Sequence, residues 1–193
     1  MGSEYELKFR ADTDSQKSVY TTFPARWETI HMETTYYDTP NGSLSTKRYM
    51  FRRRMENNRG VFTLKTPGDG KRRGEWEVKS DSIAYSVYRM LRDGCPEVLA
   101  DLYEEGLQPI CGAKFTRKAG TFKLRECVLE IALDEGILFG GGREIPLCEI
   151  EVEHKEGSIQ ATEDFARQLA DIYGLQAESK SKFARALALT KED

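Results

Sequence analysis

Between Glu149 and Glu153 the chain reads Glu-Ile-Glu-Val-Glu, and this run restricts the fold more than any other. Two β-branched residues alternate with charges at a period of two, which makes the segment a strand with unlike faces. Three carboxylates then share one face, about 7 Å between successive members. Like charges at that spacing raise one another's pKa values unless a cation intervenes. The same alternation opens the chain: Glu4, Glu6, Lys8 and Arg10 fall on one face, and Tyr5, Leu7 and Phe9 on the other. For that strand alone, an antiparallel sheet with a core side and a water side is explanation enough. The pattern recurs too often for that. Glu75 and Glu77 flank Trp76, Arg52 and Arg54 flank Arg53, Lys65 ends Thr63-Leu64-Lys65, and Glu130 and Asp134 share a face.

Composition conceals this segregation. Across 193 residues, 29 basic and 32 acidic side chains leave a formal charge of −3. Yet Lys47 to Lys79 holds eleven basic and four acidic residues, a balance of +7. From Glu126 to Asp164, eleven acids face two bases, a balance of −9. The near-neutral total excludes a nucleic-acid binder driven by overall basicity, and equally an acidic disordered tail. With no apolar run long enough for a bilayer and no secretory signal, the expectation is a soluble, cytoplasmic protein without a membrane partner. Cys95, Cys111, Cys127 and Cys148 form no CxxC pair and read as reduced thiols filling strand and helix positions. His31 and His154 are too few and too isolated for a zinc or Ser-His site, and read as surface or packing groups. Any chemistry lies in carboxylates and cations.

Strands are expected near 4–10, 29–38, 48–56, 60–66, 74–79, 110–118, 121–133 and 145–154. Helices are expected near 12–22, capped by Asp12 or Thr13, and at 81–94, 96–105, 159–173 and 181–190. Pro96 suits a first helical position, and Gly174 a C-terminal cap. No linker divides the chain, so residues 1–193 are expected to form one α+β domain. The helix pair at 81–105 lies midway and leaves a pseudo-two-fold arrangement of two halves open. A closed antiparallel barrel of eight strands, with helices packed outside and charged faces inside, gathers these groups in one lumen wide enough for a single ligand. Clustered carboxylates are hard-oxygen ligands for Mg²⁺ or Mn²⁺, and clustered Arg and Lys bind phosphate oxygens. Both in one cavity fit a metal-bound polyphosphate.

The motifs, in order, resemble the CYTH superfamily, the triphosphate tunnel metalloenzymes. Glu4-Tyr5-Glu6-Leu7-Lys8 is similar to its ExExK signature, and Tyr36-Tyr37-Asp38-Thr39-Pro40 with Leu44 to its YxDTP segment. Phe51-Arg52-Arg53-Arg54 resembles its LRxR strand, Thr63-Leu64-Lys65 its TLK strand, and Arg73-Gly74-Glu75-Trp76-Glu77 its RxExE strand. Leu133-Asp134-Glu135-Gly136, Glu149-Ile150-Glu151-Val152-Glu153 and Ser181-Lys182-Phe183 follow. The resemblance runs from Glu4 to about Leu189 and implies an eight-stranded tunnel, divalent-metal dependence and a triphosphate substrate. Residue by residue, it implies Glu4, Glu6, Glu151 and Glu153 as metal ligands, with Glu149 as ligand or support. Lys8, Arg52, Arg54, Lys65 and Lys182 would grip phosphate, joined by Arg125. Lys8, Glu6 and Glu153 would serve the chemistry, while Glu75, Glu77, Glu130 and Asp134 would support the lumen. Two departures stand out: Phe51 replaces the leading Leu, and Arg53 takes an apolar position that points outside the barrel.

Several of these residues have plainer readings. Glu130 and Asp134 either contact metal or pair with neighbouring bases. Arg72 and Arg73 suit a solvated loop at the tunnel mouth, and Tyr36, Tyr37 and Trp76 suit packing. The expected activity is metal-dependent hydrolysis of a triphosphate, inorganic triphosphate foremost, by a monomer or homodimer. The alternatives are an adenylate cyclase or thiamine triphosphatase of the same family, or a non-catalytic polyphosphate or nucleotide binder.

Overall fold

The computed structural model describes residues 5–24, 26–67 and 74–191. Among these the elements run β1 (Tyr5–Arg10), α1 (Thr13–Thr22), β2 (Glu28–Asp38), α2 (Ser43–Thr46), β3 (Met50–Glu56), β4 (Arg59–Lys65) and β5 (Glu75–Lys79). Then follow α3 (Ile83–Arg92), α4 (Val98–Gly106), β6 (Gln108–Lys123), β7 (Cys127–Gly140), β8 (Arg143–Gly157), α5 (Ile159–Tyr173), β9 (Gln176–Ala177) and α6 (Lys182–Ala188). Local signals explain the helix ends. Asp12, Ser82, Ser158 and Ser181 each cap a helix through a side-chain oxygen that accepts a backbone N–H. Gly174 ends α5 at φ +63°, a conformation open to glycine at no steric cost.

All strands join one antiparallel sheet in the order β5-β4-β3-β2-β6-β7-β8-β1-β9. Its apolar face carries the helices. Leu7, Phe9, Leu129, Ile131, Leu133, Ile150 and Val152 pack beneath α1 and α5 against Val19, Ala166 and Leu169. Phe51, Phe62 and Leu64 pack beneath α3 and α4 against Val87, Met90, Leu99 and Leu102. Each such side chain contributes about 1.5–3 kcal/mol on burial. That burial fixes which face turns inward, because a one-residue slip would expose the whole apolar set.

The opposite face is concave. Lys65 of β4 and Lys8 of β1 line one cavity although six sheet steps separate their strands. A flat sheet would hold them about 29 Å apart. The α+β class and the inward charged face therefore stand, with two corrections to the expected barrel. Among the described residues there are nine strands, and no ladder joins β5 to β1 or β9. The two-residue β9 pairs with Phe9 and Arg10, occupying part of the β1 edge that closure would need. Among the described residues the sheet is rolled without closing by hydrogen bonds.

A third correction concerns register. The expected break between two strands at Ala119-Gly120 does not occur; Gly120 pairs with Ile131 inside a continuous β6–β7 ladder. The turn falls at Leu124, Arg125 and Glu126. A strand glycine weakens a ladder without ending it when both flanks are paired. One end of the concavity is filled by α6, whose Phe183, Ala186 and Leu187 pack against Tyr36, Met50, Cys111, Leu138 and Leu147.

Candidate active site

Antiparallel pairing turns the sequence alternation into rows across the concave face. Glu130, Glu153 and Glu6 stand side by side on β7, β8 and β1. One step toward α6 come Ala132, Glu151 and Lys8, then Asp134, Glu149 and Arg10. On the far wall, Arg52 and Arg54 of β3 lie opposite Tyr36 and Thr34 of β2. Lys65 and Thr63 of β4 pair with Glu75 and Glu77 of β5. The cavity between them measures about 300 Å³. Among the described residues, six cations (Lys8, Arg52, Arg54, Lys65, Arg117 and Lys182) and three carboxylates (Glu6, Glu151 and Glu153) line it, a balance of +3.

The deepest carboxylates are already neutralised. Asp134 and Glu149 are fully buried and Glu151 nearly so. Their oxygens come within 4.8 Å of one another, close enough to share a cation. The cation they share is Lys182, whose Nζ lies 2.9 Å from Asp134, 2.6 Å from Glu149 and 2.7 Å from Glu151. Arg117 donates twice to Asp134, at 2.7 Å each, and also pairs with Glu151 at 2.5 Å. Arg185 pairs with Glu149. Three acids thus meet three bases. Burial works against the charge of Glu151, yet Lys182 and Arg117 outweigh it and hold the carboxyl down to about 2. Burial likewise opposes the charges of Lys182 and Arg117, but their carboxylate partners hold both above the ordinary range.

The far wall is less balanced. Lys65 sits 3.0 Å from Glu75, and Arg54 lies 3.1 Å from Glu56. Thr63 donates to Glu77 at 3.1 Å. Arg52 differs: its buried Nε has no hydrogen-bond partner among the described residues. Burial, then repulsion from Arg54, pulls its pKa below the ordinary guanidinium value. A buried polar donor without an acceptor is costly unless a ligand supplies one. Lys8, on the opposite wall, reaches only 3.8 Å to Glu6.

Divalent-metal ligands must be hard oxygens with room for further ligands. The Asp134/Glu149/Glu151 group has the oxygens, but a metal there would have to displace a buried ammonium from three ion pairs. Glu149 accordingly supports the lumen through Lys182 and Arg185 rather than facing the cavity. Glu6 and Glu153 fit better. They are register partners on β1 and β8, both partly exposed to the cavity, and Glu151 adjoins them. Lys155 lies 2.8 Å from Glu153 and 3.7 Å from Glu130. Glu4 lies outside the described residues, as do Arg72 and Arg73.

Arg125 does not reach the cavity; the longer β6 and β7 place it in their exposed connecting turn. Arg117 supplies the arginine on that side. Its signal was weak in sequence, because Lys114 and Lys118 charge the opposite face of β6, so that neither face reads as apolar. Arg185 was hidden among alanines, although it follows Lys182 at i+3 and so shares its face. Tyr36 packs on Phe183 with ring centroids 4.8 Å apart, while Tyr37 and Trp76 join the core under α3 and α4. His154 bonds to Thr162 of α5 at 2.9 Å, on the helix side. Arg53 points outward and pairs with Asp81 at 2.9 Å.

Comparison with known proteins follows the same lines. The CYTH domain model matches residues 2–187. An inorganic triphosphatase of Haemophilus influenzae is 31% identical over 162 residues, covering 80% of this chain and 45% of its own length. The chain thus spans about half of that relative. Among solved structures, HpAC1 from Hippeastrum, proposed as an adenylyl cyclase and described as having a dominant triphosphatase activity, superposes with a TM-score of 0.69. It is 18% identical and is covered over 96% of both chains. A Pyrococcus horikoshii OT3 protein gives 0.62 at 21% identity, covering 96% of this chain and 99% of its own. These two likenesses concern the fold.

Proposed function

This chain belongs to the CYTH domain family, and from that premise we propose that it hydrolyses a triphosphate, inorganic triphosphate foremost, to phosphate and pyrophosphate. The observation that carries the reading is Arg52, a half-buried arginine whose buried Nε lacks a hydrogen-bond acceptor among the described residues, in a cavity whose described lining is net positive. A polyanion supplies the missing acceptors, and a bidentate guanidinium fork suits its oxygens. The named activity of the Haemophilus influenzae relative points the same way.

Arg52, Arg54 and Lys65 grip the phosphates from one wall and Lys8 from the other, holding the chain in line between them. Lys182, locked by three carboxylates, fixes the potential at the closed end. Glu6 and Glu153, with Glu151 and Glu4, would hold Mg²⁺ or Mn²⁺, which when bound neutralises phosphate oxygens and polarises the reacting group. Glu6 or Glu153 takes a proton from the attacking water. The bond from the terminal phosphorus to its bridging oxygen breaks, and the charge on departing pyrophosphate falls among Arg52, Arg54 and Lys65. No serine or cysteine nucleophile enters the scheme. The free, largely buried thiols suit a reducing compartment such as the cytoplasm.

A panel of triphosphate, long-chain polyphosphate, ATP and thiamine triphosphate, each with Mg²⁺ or Mn²⁺ and again with chelator, tests this by phosphate release. Metal-dependent release, fastest from triphosphate, is expected. Cyclic AMP formed from ATP would favour a cyclase, and calorimetric binding without turnover would favour a sensor. No turnover of any triphosphate would overturn the hydrolase reading.

A further inference from the structure

The lumen does not end at the positive cavity. A second compartment of about 380 Å³ adjoins it and shares Met32, Arg54 and Arg117 with it. Beyond those shared residues the charged lining among the described residues changes sign, with Glu28, Glu56 and Glu130 against Arg26. The other end is filled by α6, so the positive cavity is blind on that side. A linear polyanion seated against Arg52 and Lys182 that extends along the strands past Arg54 therefore runs into carboxylates. Lys155 partly offsets Glu130 at 3.7 Å, whereas the partner of Glu56 is Arg54, which a bound phosphate would engage, so Glu28 and Glu56 are the principal opposing charges. Glu56 is held at the junction by Arg54, 3.1 Å away.

Resting on the triphosphate reading above, we propose that Glu56 and Glu28 are specificity-determining residues that set the chain length the site accepts. A triphosphate lies wholly within the positive cavity. Each further phosphate places added negative charge beside these two carboxylates. Repulsion between unit charges a few ångströms apart in a partly hydrated cavity is enough to disfavour a longer chain several-fold. Glu28 is exposed at the start of β2 and lies outside the phosphate grip, so its removal tests the charge itself. Glu56 removal also frees Arg54, which makes the two variants complementary.

The experiment measures calorimetric affinity for inorganic triphosphate and for long-chain linear polyphosphate at low ionic strength. Wild type, Glu28→Gln and Glu56→Gln are compared, with phosphate release followed in parallel. The expected result is a fall of about fivefold per variant in the preference for triphosphate, arising from tighter binding of the long chain. Triphosphate affinity of Glu28→Gln should stay within about twofold of wild type. An unchanged preference in both variants would overturn the stop, because the long chain would then leave by another route. Binding without turnover in wild type would refute the hydrolase reading while the affinity ratio still decided this one.

Discussion

A guanidinium withdrawn from water without an acceptor at every buried N–H opposes folding, and Arg52 is such a group. Replacing it with Met should stabilise the ligand-free protein by about 1–3 kcal/mol in urea denaturation and lower kcat/KM for triphosphate by at least about 100-fold. Destabilisation of the free protein would show that Arg52 is structural. Lys182 makes the opposite case. Its removal as Lys182→Met strands Asp134, Glu149 and Glu151, and should cost about 3–5 kcal/mol by the same measurement. A loss of activity without a loss of stability would instead assign Lys182 mainly to substrate. Glu6, Lys8 and Lys65 were legible in the sequence because an apolar partner face marks each charged face, and Arg52 and Arg54 because they flank Arg53 at a period of two. Arg117 and Arg185 were not. Their roles depend on Asp134 and Glu149, which only the β6–β7–β8 ladder and the docking of α6 bring to them.

At the scale of elements, β1 is held from both sides, by β8 along its length and by β9 at one end. Glu178, just past β9, ties this corner to α6. Buried itself, it accepts from Arg10 Nε at 2.6 Å and from the Lys180 N–H at 2.8 Å, and lies 3.6 Å from Arg185. Burial opposes its charge, but these donors keep its pKa below the ordinary 4.5. A depressed folded-state pKa gives stability that is fully present above about pH 4.5 and lost as the pH falls below it. Acid unfolding of Glu178→Gln should be less steep over that window, and an unchanged acid limb would contradict the assignment. Gly136 is a second test. A Cβ there would lie 2.1 Å from the Lys114 carbonyl oxygen and 2.5 Å from Phe115 Cα, so Gly136→Ala should destabilise by about 2 kcal/mol or more. Thermal melting at the wild-type midpoint would refute this. Strand existence was legible from period-two alternation. The β6–β7 turn was not, since Gly120 resembles a break that the ladder overrides. The four-residue α2 and two-residue β9 are too short to carry a periodic signal.

The whole molecule resolves the problem posed by its most constraining strand. Carboxylates on β1, β7 and β8 and cations on β3 and β4 belong to walls that a flat sheet would hold far apart, and the roll brings them together around one cavity. Helices hold that curvature from outside through two apolar cores, and α6 fills one end. The segregated charge of the sequence is thus the two walls seen in one dimension. The inward direction of the charged faces followed from their number. The open seam between β5 and β1 did not, because it depends on the pairing of β9. Metal-dependent hydrolysis of triphosphate within this lumen would be read by phosphorus NMR of inorganic triphosphate mixed with the protein. With Mg²⁺ present, the triphosphate signals should give way to those of phosphate and pyrophosphate in equal amounts, and chelator or Lys8→Ala should halt the conversion. Triphosphate that persists unchanged with metal, or that is consumed equally fast by Lys8→Ala, would contradict it.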